Sequence, residues 1–326
     1  MSKHHTAPAA ARASAAELLE GLVVASYGRH VVVEDDAGVR RICHPRGKKS
    51  QCVVGDRVLW LPSTDEGTIE RVQERRNLLY RQDEIRTKSF AANLDRVLIL
   101  TAAEPEFSEH QLARALIACE AEHITPLIAL NKQDLAEPFQ RAWKRLAAYR
   151  EAGYTVLPLA LKTRPDESRE SFMQHLAGKT TLVLGPSGTG KSTLVNLLVP
   201  EAQAATNDIS QALNSGKHTT TSTSWYWVGA ERTTALIDSP GFQEFGLHHI
   251  APMQLAACMP DLKRHVAECK FYNCTHMHEP GCGIIRHVEQ LKTSAADDTD
   301  ENATQKAWRY QIYRDLFAEL SAAPRY

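Results

Sequence analysis

The run Thr180-Thr181-Leu182-Val183-Leu184 leads directly into Gly185-Pro186-Ser187-Gly188-Thr189-Gly190-Lys191-Ser192. The apolar run predicts a strand, the glycines predict a tight loop, and the text from Lys191 onward predicts a helix. The loop matches G-x-x-x-x-G-K-S in the strand–loop–helix context that gives such a match meaning. Glycines there let backbone N–H groups turn inward around phosphate oxygens, at a helix N-terminus whose dipole favours anions. Gly185, Pro186, Ser187, Gly188, Thr189, Gly190, Lys191, Ser192 and Thr193 are therefore expected to bind nucleotide phosphates. Lys191 is expected to reach the β- and γ-phosphates, and Ser192 to bind Mg²⁺.

Outward from this loop the text alternates apolar runs with helical patterns. Strand runs are expected at 95–101, 125–130 and 155–159, and helices at 108–120, around 139–151 and at about 167–176. Ser108 and Gln111 have the spacing of a capping box. Strands that are apolar throughout and separated by helices imply a doubly wound α/β domain, with a parallel sheet covered on both faces.

A phosphate loop does not choose a base. Asn131-Lys132-Gln133-Asp134 does, because it ends another strand and places a carboxylate where it accepts both the N1 and N2 protons of guanine. Adenine lacks that donor pair, so Asp134 would be left buried and unpaired against the wrong base. Alone N-K-x-D is a common surface turn; beside the phosphate loop it specifies GTP. Asp238-Ser239-Pro240-Gly241 follows the strand Thr233-Thr234-Ala235-Leu236-Ile237, as a switch motif that meets Mg²⁺ through Asp238 and senses the γ-phosphate through Gly241 should. Between the two lies Gly216-Lys217-His218-Thr219-Thr220-Thr221, where Thr220, or its neighbours Thr219 and Thr221, can place a hydroxyl on Mg²⁺. The guanine motif comes about 50 residues ahead of the phosphate loop, the reverse of the ordinary order, which a circular permutation of the domain explains.

Residues 20–76 hold five short strand runs separated by turn signals, the size of a small closed barrel of OB or SH3-like type. Arg40, Arg41, His44, Arg46, Lys48 and Lys49 occur around its third strand with no acid among them, as in a phosphate-contacting patch or a solvated loop. The net charge of −1 excludes a uniformly basic coat. Residues 1–19, rich in Ala, are expected to be a disordered leader, and no apolar run approaches the roughly 20 residues of a membrane helix. Without a secretory signal, a reducing cytoplasm is expected.

Beyond 246 the strands stop. Cys269, Cys274, His276 and Cys282 supply three thiolates and an imidazole, enough for one closed structural zinc site, with His278 as a competing ligand. Cys43, Cys52, Cys119 and Cys258 have no such pattern. An acidic stretch at 297–301 precedes a final amphipathic helix at 306–320, whose apolar face would carry Trp308, Ile312, Leu316 and Leu320.

Together the Gly55-Asp56 turn, the segment Ala91-Ala92-Asn93-Leu94-Asp95, N-K-Q-D, G-P-S-G-T-G-K-S, G-K-H-T-T-T, D-S-P-G-F and Cys-x4-Cys-x-His-x5-Cys resemble the RsgA (YjeQ) family, circularly permuted GTPases of small ribosomal subunit assembly. The resemblance covers nearly the whole chain from about residue 20. It implies an OB-like barrel at 20–80 contacting rRNA, a permuted GTPase domain at 81–245 and a mostly helical zinc-binding domain at 246–326. It favours His276 over His278 as ligand. It also implies a monomeric cytoplasmic hydrolase, stimulated by the 30S subunit in late maturation and leaving after hydrolysis.

Two features qualify the resemblance. Where many GTPases place a water-orienting Gln after DxxG, this chain has Phe242, so slow intrinsic turnover is expected and His218 becomes the candidate catalytic group, alongside Lys191. This also leaves room for a GTP/GDP-gated rRNA-binding module with negligible hydrolysis. The Ser-Ala pair that backs the guanine is replaced by Leu159-Ala160-Leu161-Lys162.

Overall fold

The computed structural model describes residues 18–27, 30–47, 52–83, 87–202, 223–240, 245–297 and 302–322. The leader up to residue 17, Lys48, Lys49, His218, Thr219, Thr220, Thr221, Gly241, Phe242 and most of the acidic stretch lie outside the described residues.

The five expected strands form: β1 (Leu19–Tyr27), β2 (His30–Glu34), β3 (Arg40–Pro45), β4 (Arg57–Leu61) and β5 (Gly67–Val72). They pair in the order β1-β2-β3-β5-β4, and β4 closes back onto β1. The parallel β3–β5 pair departs from a simple meander and gives the Greek-key closure of an OB-fold rather than an SH3-like barrel. Alternate residues point inward, so Val31, Val33, Val58 and Trp60 join Val23, Cys43 and Ile69 in the barrel core.

A β-hairpin that the sequence reading did not foresee follows, β6 (Leu78–Gln82) and β7 (Thr87–Ala92). Next come β8 (Arg96–Ala102), α1 (Glu109–Ala121), β9 (Thr125–Asn131), α2 (Ala136–Arg145), α3 (Ala147–Glu151), β10 (Val156–Pro158), α4 (Pro165–Leu176), β11 (Thr180–Leu184) and α5 (Lys191–Leu198). Two further strands, β12 (Thr223–Trp227) and β13 (Ala235–Asp238), complete the sheet. Its order is β10-β9-β8-β11-β13-β12, parallel apart from β12. The single helix expected at 139–151 is instead α2 and α3, broken at the fully buried Leu146. The Leu146 N–H is shared between the carbonyls of Ala142 and Trp143, each at 3.2 Å, which tightens the turn out of α-helical register.

A bulge between Val23 and Ala25 bends β1, so that Leu19–Leu22 pair with β4 while Ala25 and Ser26 pair with Ser224 and Thr223 of β12. Barrel and α/β domain thus share one continuous eleven-stranded sheet.

The C-terminal part packs a 3₁₀ turn (Pro252–Cys258), α6 (Pro260–Val266), α7 (Gly283–Ala296) and α8 (Ala303–Ser321). The buried face of α8 is Arg309, Tyr310, Ile312, Tyr313 and Leu316. Trp308, expected on that face, is 45% exposed and only meets the edge of His110. The face is rotated because α8 serves three neighbours at once: α3, the 3₁₀ turn and α7.

Candidate nucleotide site and cysteine–histidine centre

The parallel strands β8, β9, β11 and β13 end at one edge of the sheet, where ligands bind in open α/β folds. β11 runs into the glycine loop, in which Gly188 and Gly190 have φ of 82° and 102° and Gly190 precedes α5. A Cβ at Gly190 would lie 2.5 Å from Asn131 Nδ2. The space is filled by a hydrogen-bonded side chain: Asn131 Nδ2 donates to the Thr189 carbonyl at 2.9 Å, while its Oδ1 accepts the Leu161 N–H at 3.1 Å. Asn131, buried at the end of β9, therefore ties the base-reading turn, the phosphate loop and the 159–161 loop together. The Lys132 ammonium donates to the Glu104 carbonyl, and Arg164 donates to Gln133 at 2.6 Å. Asp134 is exposed and engages no partner among the described residues, leaving both carboxylate oxygens free for a base.

Across the loop, Lys191 Nζ lies 2.5 Å from Asp238 Oδ1 at the end of β13. The pair brings together the amine expected on the phosphates and the carboxylate expected near Mg²⁺. Ser239 is fully buried with its hydroxyl on the Val183 carbonyl, which fixes the start of the switch segment against β11. Ser187 and Ser192 are exposed at the same mouth. The 159–162 segment, which lacks the serine, is held by a contact that no spacing argument could find: buried Ser168 on α4 accepts the Ala160 N–H at 3.3 Å.

The second centre lies between α6 and α7. The donor atoms of Cys269, Cys274, His276 and Cys282 all fall within 4.8 Å of one another. The His276 Nδ1 atom is 3.5 Å from Cys269 Sγ and 3.4 Å from Cys282 Sγ, and those two sulfurs are 3.8 Å apart. Bonds of about 2.3 Å to sulfur and 2.0 Å to nitrogen in a tetrahedron give such edges, so the donors fit a zinc-sized cation. His278 is exposed and outside the cluster. Burial pushes the Cys274 thiol up to about 12 and raises Cys282, while it lowers His276 into the neutral, ligating form. A cation offsets that cost by taking the thiolates as ligands. The loop is further held by Glu279, which accepts from the Thr275, Met277 and His278 amides, and by the Tyr310 and Tyr313 hydroxyls on the His276 and Thr275 carbonyls, each at 2.7 Å.

A family model described as RsgA GTPase matches residues 72–248. The small ribosomal subunit biogenesis GTPase RsgA of Variovorax paradoxus is 67% identical over 322 residues, covering 98% of this chain and 99% of its own. This chain belongs to the RsgA GTPase family. It is a hydrolase acting on GTP. The RsgA of Paraburkholderia phytofirmans is 51% identical over 286 residues, 86% of this chain and 90% of its own. Among solved structures, YloQ, a circularly permuted GTPase, superposes with a TM-score of 0.68 at 26% identity, covering 97% of this chain and all of that one. YjeQ from Thermotoga maritima gives 0.68 at 27%, covering 94% and 100%. The permutation, the barrel and the Cys/His centre thus occur in this RsgA family member as the sequence motifs imply.

The basic cluster on the barrel is divided. Arg40 Nε donates to Glu34 at 2.7 Å, and buried Glu34 also accepts from Trp227 Nε1 at 2.8 Å, so this arginine helps join β2–β3 to β12. Arg46 pairs with Glu70 at 2.6 Å from an otherwise open position. Arg41 is exposed and pairs with no carboxylate among the described residues. Among the expected thiols, Cys43, Cys119 and Cys258 are buried and Cys52 is half-buried. Among the described residues no helix is long and apolar enough to cross a membrane.

Proposed function

We propose that this GTPase acts in the cytoplasm in late maturation of the small ribosomal subunit, and that the 30S subunit stimulates its hydrolysis of GTP to GDP and phosphate. The observation that carries this reading is the Asn131 clamp, which joins a guanine-reading turn to a phosphate loop in a chain whose relatives are named for small-subunit biogenesis. The reading divides the molecule into an rRNA-contacting barrel at 20–80, a permuted GTPase domain at 81–245 and a zinc-binding domain at 246–326, and takes it as a monomer.

In this reading Asp134 reads guanine, the 185–193 loop holds the phosphates, and Lys191 meets the β- and γ-phosphates. Mg²⁺, held through Ser192, Thr220 and Asp238, supplies neutralising charge at the phosphates. Nucleotide binding requires Lys191 and Asp238 to exchange their mutual pairing for these partners. Gly241 senses the γ-phosphate, and His218 orients water or the transition state when the 30S subunit is bound. One Zn²⁺ at Cys269, Cys274, His276 and Cys282 supplies structural cross-linking. Arg41, Arg46, Lys48 and Lys49 contact RNA; Arg40 supports them from its pairing with Glu34.

The test is phosphate release from GTP by the protein alone and with 30S subunits, 50S subunits or total RNA. Strong stimulation by 30S alone is expected. Phe242, which cannot orient water, favours a second reading, a GTP/GDP-gated rRNA-binding module with negligible hydrolysis. Tight GTP binding with no stimulation by any of the additions would select it. Equal turnover by His218→Ala and wild type with 30S present would remove His218 from catalysis.

A further inference from the structure

We propose that the outer rim of the Cys/His loop is a stacking site for an unpaired base of single-stranded RNA, formed by Tyr272 and Phe271 with Lys270 as the phosphate partner. This rests on the ribosomal reading above and assigns to one loop a contact of a specific chemical kind.

Tyr272 is fully exposed, with a relative accessibility of 103%, and Phe271 is 41% exposed. The Tyr272 ring, presented wholly to solvent, costs hydration free energy and serves no packing in the fold. The backbone that carries it is anchored. Lys270 N donates to the Gly281 carbonyl at 3.0 Å and Cys274 N to the Phe271 carbonyl at 3.3 Å, while Cys269 and Cys274 fix both ends of the segment at the metal cluster. An anchored backbone limits the conformational entropy lost on binding to the side chains, which favours stacking.

The charges select the partner. Every acid from 260 to 282 is engaged inside the molecule. Asp261 takes both Arg309 nitrogens at 2.6 Å, Glu268 takes Arg286 at 2.6 Å and His265 at 3.0 Å, and Glu279 takes the Thr275 hydroxyl and three amides. Lys263, Arg264 and Lys270 are exposed, and none pairs with a carboxylate among the described residues. Lys263 and Arg264 lie in the last turn of α6, immediately before the loop, and Lys270 Nζ sits 5.6 Å from the Phe271 ring centroid. Exposed π-faces beside the unpaired Lys270 ammonium suit a base on its phosphate backbone. An apolar protein surface would have to desolvate that cation without repayment.

The test uses the full-length, zinc-loaded protein and a fluorescein-labelled single-stranded RNA 12-mer of mixed sequence carrying one 4-thiouridine. Affinity is measured at several salt concentrations, and photo-cross-links are mapped by mass spectrometry. Tyr272→Ala is expected to weaken binding about tenfold and to abolish cross-linking to the 270–273 segment, while Tyr272→Phe stays within about twofold of wild type. Lys270→Ala is expected to reduce the slope of log K against log salt by about 0.7. Basal GTP hydrolysis and zinc content should be unchanged in all three. Undiminished affinity of Tyr272→Ala, with cross-links confined to the barrel, would overturn the inference while leaving the ribosomal reading intact if 30S still stimulates hydrolysis. A loss of binding to intact 30S but not to the RNA would also overturn it, placing a ribosomal protein on this rim. Absence of 30S stimulation in the wild type would defeat the ribosomal reading itself.

Discussion

In the proposed reading Asp134 carries base choice at the level of a single side chain. Its carboxylate is exposed and engages no partner among the described residues, so its removal should cost little in the fold and be felt mainly on guanine. Asp134→Ala is expected to weaken GTP binding about 100-fold while the melting temperature stays within a degree or so. Asp134→Asn presents a donor where guanine presents another, and should shift preference toward a base with oxygen at C2; competition between GTP and XTP checks this. Gly190→Ala combines a φ of 102° with a Cβ 2.5 Å from Asn131 Nδ2, so nucleotide binding should fall below detection in an equilibrium titration. These residues were legible because the chemistry of phosphate and guanine dictates residue type and spacing. Ser168 was not, because a hydroxyl that supports a loop from eight residues away leaves no pattern.

At the scale of elements, the β6–β7 hairpin is the piece that sequence did not announce. Its two strands are short, of mixed polarity, and paired through a bulge, so neither alternation nor length marks them. It nevertheless meets every part of the molecule: Ala92 N bonds the Val54 carbonyl of the barrel, Gln82 bonds Gly246 and His248 just past the switch segment, and Phe90 stacks on Phe245 at 5.6 Å. His249, seated on Tyr80 at 4.3 Å, has both ring nitrogens buried without a hydrogen-bond partner among the described residues. Burial, and then His248, holds its pKa below 6.5. The fold therefore favours the neutral ring. Its contribution is fully present above pH 6.5 and is lost as pH falls through the window below it, where the unfolded chain takes up the proton first. His249→Phe should remove part of the stability loss between pH 7.5 and 5.5 in urea titrations and raise stability at the lower pH. The Cys/His loop is the other element with a clear dependence: a chelator should remove one zinc per chain and lower the unfolding temperature, with protons released again on reloading. Unchanged melting after complete metal removal would contradict a structural role.

For the whole molecule, the Arg309–Asp261 pair is the clamp between α8 and α6, and it reaches the GTPase domain through Tyr149. Arg309 is 2% exposed, bonds Asp261 twice at 2.6 Å and lies 4.4 Å over the Tyr149 ring. Arg309→Met leaves the Asp261 charge without its partner and should destabilise by about 3 kcal/mol. Arg309→Met with Asp261→Leu should recover most of that loss, as measured by denaturant unfolding, because the uncompensated charge is gone. The continuous sheet through β1 and β12 makes a related point. The five barrel strands and the alternating α/β text were each readable alone, but their joining was not. It depends on a bulge in β1 and on a strand, β12, whose short Ser224-Trp225-Tyr226-Trp227 text carries no signal of the partner it pairs with.

The sequence by itself determined the activity class, the permuted order of the motifs, the presence of a small five-stranded barrel and the three cysteines of the metal-binding pattern. Phosphate cradling, guanine pairing and tetrahedral coordination each demand particular atoms at particular chain spacings. Only the tertiary structure decided the rest: that Arg40 serves Glu34, that His276 and not His278 faces the thiols, that α8 buries Arg309 and exposes Trp308, and that one sheet joins the barrel to the GTPase domain. These outcomes depend on which surfaces meet across long stretches of chain, and packing between distant segments leaves no local spacing to read.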